Sequence, residues 1–123
     1  MDFTGIYSPY DEESPLWDAN KALIHYCSSD YYMGDLRGKK LWGYQFEGQK
    51  IVDAFITELV EKRGLGKSGR QELLVFGGIS SGAVGAIAHI DKVAAKLKSH
   101  NVKVLGFFDS PMYFKDVEPL YKN

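Results

Sequence analysis

Apolar residues between Gly48 and Arg63 recur at helical spacing, with Ile51, Val52, Phe55, Ile56, Leu59 and Val60 falling on one stripe. Glu61, Lys62 and Arg63 close the run and Gly64 follows as a stop, so the pattern predicts a helix over Gly48 to Arg63. Leu73-Leu74-Val75-Phe76 is a continuous apolar run between a polar loop and two glycines, the signature of a buried parallel strand. A second helix begins near Ser81, with Ile87, Ile90, Ala94 and Leu97 on one face and Lys92, Lys96 and Lys98 mostly turned away. Val102 to Phe107 supplies another strand, and Ala22 to Cys27, a short apolar run, predicts one upstream. Tyr7 to Pro15 and Ser28 to Lys40 read as loops. The order strand, helix, strand, helix, strand predicts an α/β fold with a parallel sheet and helices covering its faces.

Composition narrows this further. With 123 residues, 45% hydrophobic and 25% charged, the chain reads as a single domain over residues 1–123, and membrane-spanning, collagen-like and disordered classes are excluded. Lys and Arg number 15 against 16 Asp and Glu, a net charge of −1, so no long-range field draws nucleic acid or an anionic membrane. Recognition must therefore come from a local site. Met1 to Gly5 shows no basic segment leading into an apolar run, and no apolar stretch is long enough to span a bilayer. The single cysteine, Cys27, forms no internal disulfide; it is either a small buried residue or half of a bridge whose partner lies elsewhere.

In parallel sheets chemistry gathers where strands end, which directs attention to Gly77-Gly78-Ile79-Ser80-Ser81-Gly82-Ala83-Val84-Gly85. Gly78 to Gly82 is a Gly-x-Ser-x-Gly sequence set between a strand and a helix, the context of a nucleophile elbow. A sharp turn there strains the middle residue, Ser80, and small residues two before and two after it relieve collisions with neighbouring backbone. The helix start aims its positive end at the same place, making the Ser81 amide a candidate oxyanion donor. A glycine-rich turn that only packs closely, or that binds phosphate through its amides, fits the same five residues. Gly66-Lys67-Ser68 mimics the end of a phosphate-binding loop, but Glu61 stands where that motif needs glycine and a helix precedes it, so it reads as a surface loop.

Four segments in order, Ser14 to Asn20, Tyr26-Cys27-Ser28-Ser29-Asp30 with Gly34-Asp35, Gly48 to Leu65, and Gly78 to Asp91, resemble the pectin acetylesterase and Notum family of carboxylesterases. The resemblance implies a three-layer parallel sheet of α/β-hydrolase-like type, incomplete at both ends, with this chain forming the central part of a larger hydrolase domain. It implies a serine esterase that removes O-acyl groups from a polysaccharide or an acylated protein, with Ser80 as nucleophile, Asp109 as acid, and no metal or cofactor. A carboxylate ending the next strand also makes chemical sense, because it can orient a histidine across the sheet and matches the Ser, acid, His order of that fold. The same resemblance points to a secreted protein, a cytoplasmic one being the alternative, and pairs Cys27 with a cysteine outside this sequence.

The sequence departs from the family in places. After Asp109-Ser110 it has Pro111-Met112-Tyr113-Phe114 where relatives have glycine and then aromatics, and the family's catalytic histidine has no counterpart here. His25, His89 and His100 read as structural or surface residues, which places the expected base outside this sequence, as it does the family's Gly-Gly-Trp-type oxyanion loop. Asp30 in the Tyr-Cys-Ser-Ser-Asp segment, with the aromatics Trp17, Tyr31, Tyr32 and Trp42, are candidates to line a sugar or acyl pocket. A non-catalytic relative that binds a glycan or acylated ligand is the competing reading. The sequence leaves the oligomeric state open.

Overall fold

A computed structural model describes residues 5–10 and 12–111. Met112, Tyr113 and Phe114, where the sequence departs from its relatives, lie outside the described residues. Helix α1 spans Gly48–Glu61, strand β1 Glu72–Ile79, helix α2 Ser81–Leu97 and strand β2 Val102–Asp109, with short 3-10 turns at Gly5–Tyr7 and Lys98–His100. Helix α1 ends two residues before the predicted boundary, where the amides of Lys62 and Arg63 both return to the Glu58 carbonyl. Gly64 then reverses the chain at φ 84°, a conformation glycine adopts without a Cβ clash.

β1 and β2 pair in parallel from Glu72 opposite Val102 to Ile79 opposite Asp109. The pleat sends Leu74, Phe76, Val102 and Val104 to one face, where they meet Val52, Ile56 and Val60 of α1 and Val93 and Leu97 of α2. That is the core. On the other face Leu73, Val75, Ile79 and Leu105 are exposed. Among the described residues the architecture is therefore α/β, with two parallel strands where three were expected and helices packed on one face of the pair.

Two expectations are corrected. Ala22 to Cys27 forms no strand; the segment is held by side chains, with Ile24 against the core and its carbonyl accepting from the Tyr32 hydroxyl at 3.2 Å. The buried face of α2 carries Ala83, Gly85, Ala86, His89, Val93 and Leu97, whereas Ile87 is exposed. Small residues set that face because they let the helix approach its neighbours closely, a preference that counting large apolar side chains misses.

Between Ser28 and Gly48 the chain is organised by one carboxylate. Asp30 accepts from the Ser28 hydroxyl at 2.5 Å and from the backbone amides of Gly48 at 2.8 Å, Tyr32 at 2.9 Å and Gly34 at 3.1 Å. Gly48 is the first residue of α1, so Asp30 places negative charge at the helix N-terminus, where Glu47 offers no side-chain cap. A Cβ on Gly34 or Gly48 would collide with the Asp30 carboxylate, which explains both glycines. A similar device holds the Gly64 to Gly69 loop: the Glu72 carboxylate accepts from the amides of Gly66 and Ser68, each at 3.0 Å. Those amides already face an anion, so the apparent phosphate loop is a carboxylate-held turn.

Leu97 is fully buried, and Leu97→Ala is expected to lower unfolding stability by about 2–5 kcal/mol, read as a reduced urea midpoint with unchanged slope. Burial alone would raise the Asp30 pKa, but its bonds from Ser28, Gly48, Tyr32 and Gly34 together hold it below the ordinary 3.8. A depressed folded pKa contributes stability that is present above the unfolded value and lost as pH falls through the folded one. Asp30→Asn turns an amide donor toward backbone donors and is expected to cost about 1–3 kcal/mol near neutral pH. The gap to wild type should close in strong acid; a gap of the same size there would show that charge on Asp30 is not what stabilises the loop.

Candidate functional site

The sharp turn expected after β1 is present. Ser80 sits between Ile79 of β1 and Ser81 of α2 with φ 54° and ψ −119°, a backbone region that side chains other than glycine rarely enter. Its amide donates to the Asp109 carbonyl at 2.9 Å, extending the parallel ladder by one bond beyond the paired strands. The nucleophile candidate and the acid candidate thus stand at the carboxyl ends of adjacent strands, Ile79 being paired with Asp109. The Asp109 carboxylate is exposed and accepts from the Ser110 hydroxyl at 2.8 Å.

Two glycines before Ser80 are needed by the packing. A Cβ on Gly77 would collide with the Phe107 carbonyl oxygen of β2, and one on Gly78 would collide with the backbone of Gly82 and Ala83. Gly82 is different from its expected role, because a Cβ there would meet open space. The steric demand for a small residue in this turn therefore falls on Gly78.

Helix α2 supplies the electrostatics. The amides of Ala83 and Val84 both return to the Ser80 carbonyl, at 3.0 and 3.1 Å, which leaves those of Ser81 and Gly82 without an acceptor among the described residues. Unsatisfied N–H groups and the positive end of the helix dipole converge beside Ser80, where they can stabilise an oxyanion. The Ser81 amide belongs to this set. Among the described residues no side-chain base is hydrogen-bonded to the Ser80 hydroxyl. His25 is exposed, and His89 is buried with its ring bonded elsewhere.

Ser80 and Ser81 open into a depression of about 430 Å³ whose other walls are Tyr26, Ser29, Tyr31 and Val84. Tyr31 is therefore brought to the site as expected. Asp30 is adjacent in sequence, but its carboxylate is turned to the four donors that fold the loop, so it shapes the pocket wall instead of lining it. Trp17 and Trp42 are exposed and do not line the depression; Trp42 caps a tight turn closed by paired bonds between Leu41 and Tyr44. Tyr32 is buried in the core. Cys27 is exposed, which overturns its reading as a small buried residue.

Tyr26, Ser29 and Val84 are lining residues that sequence reasoning did not assign. Val84 was legible in principle, since a residue four beyond Ser80 sits one turn along the same face of α2. Tyr26 and Ser29 depend on the path of the preceding loop, which runs through left-handed residues at Ser29, Tyr31 and Tyr32. Such a path follows from tertiary hydrogen bonds, and local sequence does not specify it.

Among the described residues no helix is long and apolar enough to cross a membrane. A sequence profile of the family described as Pectinacetylesterase matches residues 1–122. Similar proteins include palmitoleoyl-protein carboxylesterase notum2 of Xenopus laevis and palmitoleoyl-protein carboxylesterase NOTUM of Homo sapiens, each 37% identical over 87% of this chain and 22% of the relative. Palmitoleoyl-protein carboxylesterase NOTUM of Drosophila melanogaster is 36% identical over 96% of this chain and 18% of its own length. The chain thus spans about a fifth of these relatives. No solved structure gives a significant match. With the profile covering almost its whole length, the chain belongs to the pectinacetylesterase family.

Proposed function

We propose that this chain carries the nucleophile region of a serine carboxylesterase acting on an O-acylated polysaccharide or an acylated protein. The observation that carries the reading is the backbone of Ser80, held at positive φ where β1 turns into α2, beside amides with no acceptor among the described residues and bonded to the Asp109 carbonyl. Relatives described as pectinacetylesterases and palmitoleoyl-protein carboxylesterases support ester chemistry of this kind.

In the proposed reaction Ser80 Oγ attacks the acyl carbon, and the Ser81 amide helps to hold the oxyanion. Asp109 orients a histidine that takes the Ser80 proton and returns it to the leaving alcohol; water then releases the acid and regenerates the serine. That histidine comes from outside this sequence, within a larger three-layer hydrolase domain of which residues 1–123 form the central part. The short span of the chain relative to its relatives favours this arrangement. A secreted setting, in which acylated glycans and proteins are met, fits the same reading.

The absence of a base bonded to Ser80 among the described residues favours a second reading, a non-catalytic relative that binds a glycan or acyl ligand in the depression beside Ser80. Hydrolysis of p-nitrophenyl acetate and octanoate by the chain and by Ser80→Ala, both checked for folding by circular dichroism, separates the two. Because the base lies outside this sequence, the esterase reading expects slight turnover by the chain, falling to the level of the buffer in Ser80→Ala. Turnover retained in full by folded Ser80→Ala would reject Ser80 as nucleophile, whereas two folded proteins that are inactive yet bind a glycan or acyl ligand would favour the second reading.

A further inference from the structure

The loop that walls the depression opposite Ser80 is anchored to the helix that carries Ser80, and the anchor is a buried histidine. His89 lies on the inner face of α2, and its Nε2 is 2.6 Å from the Tyr32 carbonyl oxygen. A carbonyl only accepts, so Nε2 bears the proton and donates it. One turn earlier on the same face, Gly85 lets the loop come close: a Cβ there would lie 2.6 Å from the Tyr31 carbonyl oxygen and 2.9 Å from the Tyr32 ring.

The loop needs such anchors because it is strained. Ser29, Tyr31 and Tyr32 all have positive φ, at 52°, 55° and 61°. For residues other than glycine each such conformation costs energy and persists only where surrounding contacts over-determine it. Here they do. The Tyr31 amide donates to the Tyr26 hydroxyl at 2.9 Å, the Tyr32 amide to Asp30, and the Tyr32 carbonyl accepts from His89. Asp30 ties this loop to α1, whereas His89 ties it to α2, the element that positions Ser80 and Ser81.

We infer that His89 is a positioning residue, whose bond to the Tyr32 carbonyl sets how far Ser29 and Tyr31 stand from Ser80 and so which acyl groups the depression admits. The inference rests on the esterase reading for its consequence in acyl selection, while the clamp itself is a property of the fold. His89→Leu keeps the volume roughly but leaves the Tyr32 carbonyl without its donor. His89→Gln keeps an N–H at a similar reach. Gly85→Ala keeps the imidazole but puts a Cβ against the Tyr31 carbonyl and the Tyr32 ring, which pushes the loop off α2 and lengthens the bond to the Tyr32 carbonyl.

The test combines amide hydrogen exchange with labelling of Ser80 by a methyl and an octyl fluorophosphonate, using the full chain. His89→Leu is expected to speed exchange at the Tyr31 and Tyr32 amides by about tenfold, the scale of one lost buried hydrogen bond, with the β1 amides unchanged. The ratio of octyl to methyl labelling rates should shift by a similar factor of about ten, and His89→Gln should restore most of both. Should His89→Leu fail to fold, Gly85→Ala decides, with a shifted labelling ratio expected. Unchanged exchange and an unchanged ratio in a folded His89→Leu would overturn the inference, as would a His89→Gln that behaves like His89→Leu. If wild type takes no label at Ser80, as a chain without its base can, exchange at the Tyr31 and Tyr32 amides alone decides whether the clamp exists.

Discussion

Four hydrogen bonds converge on the carboxylate of Asp30, and most of what positions the candidate site depends on them. One donor is the first amide of α1, so the loop from Ser28 to Gly34 is fixed to the start of a helix whose Val52, Ile56 and Val60 are core residues. Another is the Tyr32 amide, at the point where the chain passes through left-handed backbone. Because the donors are amides and a hydroxyl, the carboxylate must stay charged to accept from all of them, and burial works against that charge. The loop's geometry and the core's integrity are therefore one problem. Gly34 and Gly48 lack a Cβ for the same reason, since Asp30 occupies the space where one would sit.

The second constraint is the closeness of two strand ends. Gly77 lies so near the Phe107 backbone that no side chain fits, and Gly78 likewise meets the first turn of α2. These approaches bring the turn at Ser80 into line with the end of β2, where the Ser80 amide finds the Asp109 carbonyl. Strain at Ser80 is thus stored in a frame of ladder hydrogen bonds and a helix packed on the sheet, which is how a sparsely populated conformation can persist. A looser frame would let Ser80 relax toward ordinary helical or extended backbone and would move it relative to the amides of Ser81 and Gly82, which have no acceptor among the described residues.

Much of this was legible in the sequence, and what was not has a physical explanation. Helix α1, strands β1 and β2, and the serine turn between β1 and α2 follow from periodicity and glycine placement, which are local signals. Ala22 to Cys27 looked like a strand because it is apolar, but a strand also needs a partner, and this segment is held by the Tyr32 hydroxyl instead. The inner face of α2 was misjudged because alanine and glycine, not isoleucine, meet the neighbouring elements. Asp30 and His89 were visible as polar residues, yet the bonds that tie them to other elements, from the Gly48 amide to Asp30 and from His89 to the Tyr32 carbonyl, join groups 18 and 57 residues apart in the chain. Side-chain-to-backbone bonds of that range leave no periodic trace.

His89 and Asp30 also divide the loop's support between two helices in a way that bears on how the site could vary within one fold. The Tyr32 peptide is bonded at both ends, its amide to a carboxylate tied to α1 and its carbonyl to an imidazole on α2. Movement of α2 relative to α1 would pull these anchors apart, and the Lys96 ammonium, bonded to the Asp53 carboxylate and the Thr57 hydroxyl, opposes that movement further along the same pair of helices. Side chains that line the depression, such as Tyr31 and Val84, contribute no hydrogen bond to this frame, although the Tyr31 backbone does. Exchanging those two side chains can therefore reshape the wall beside Ser80 while the bonds that hold the wall in place stay as they are. A depression built this way separates the side chains that shape its wall from the bonds that hold the wall in place.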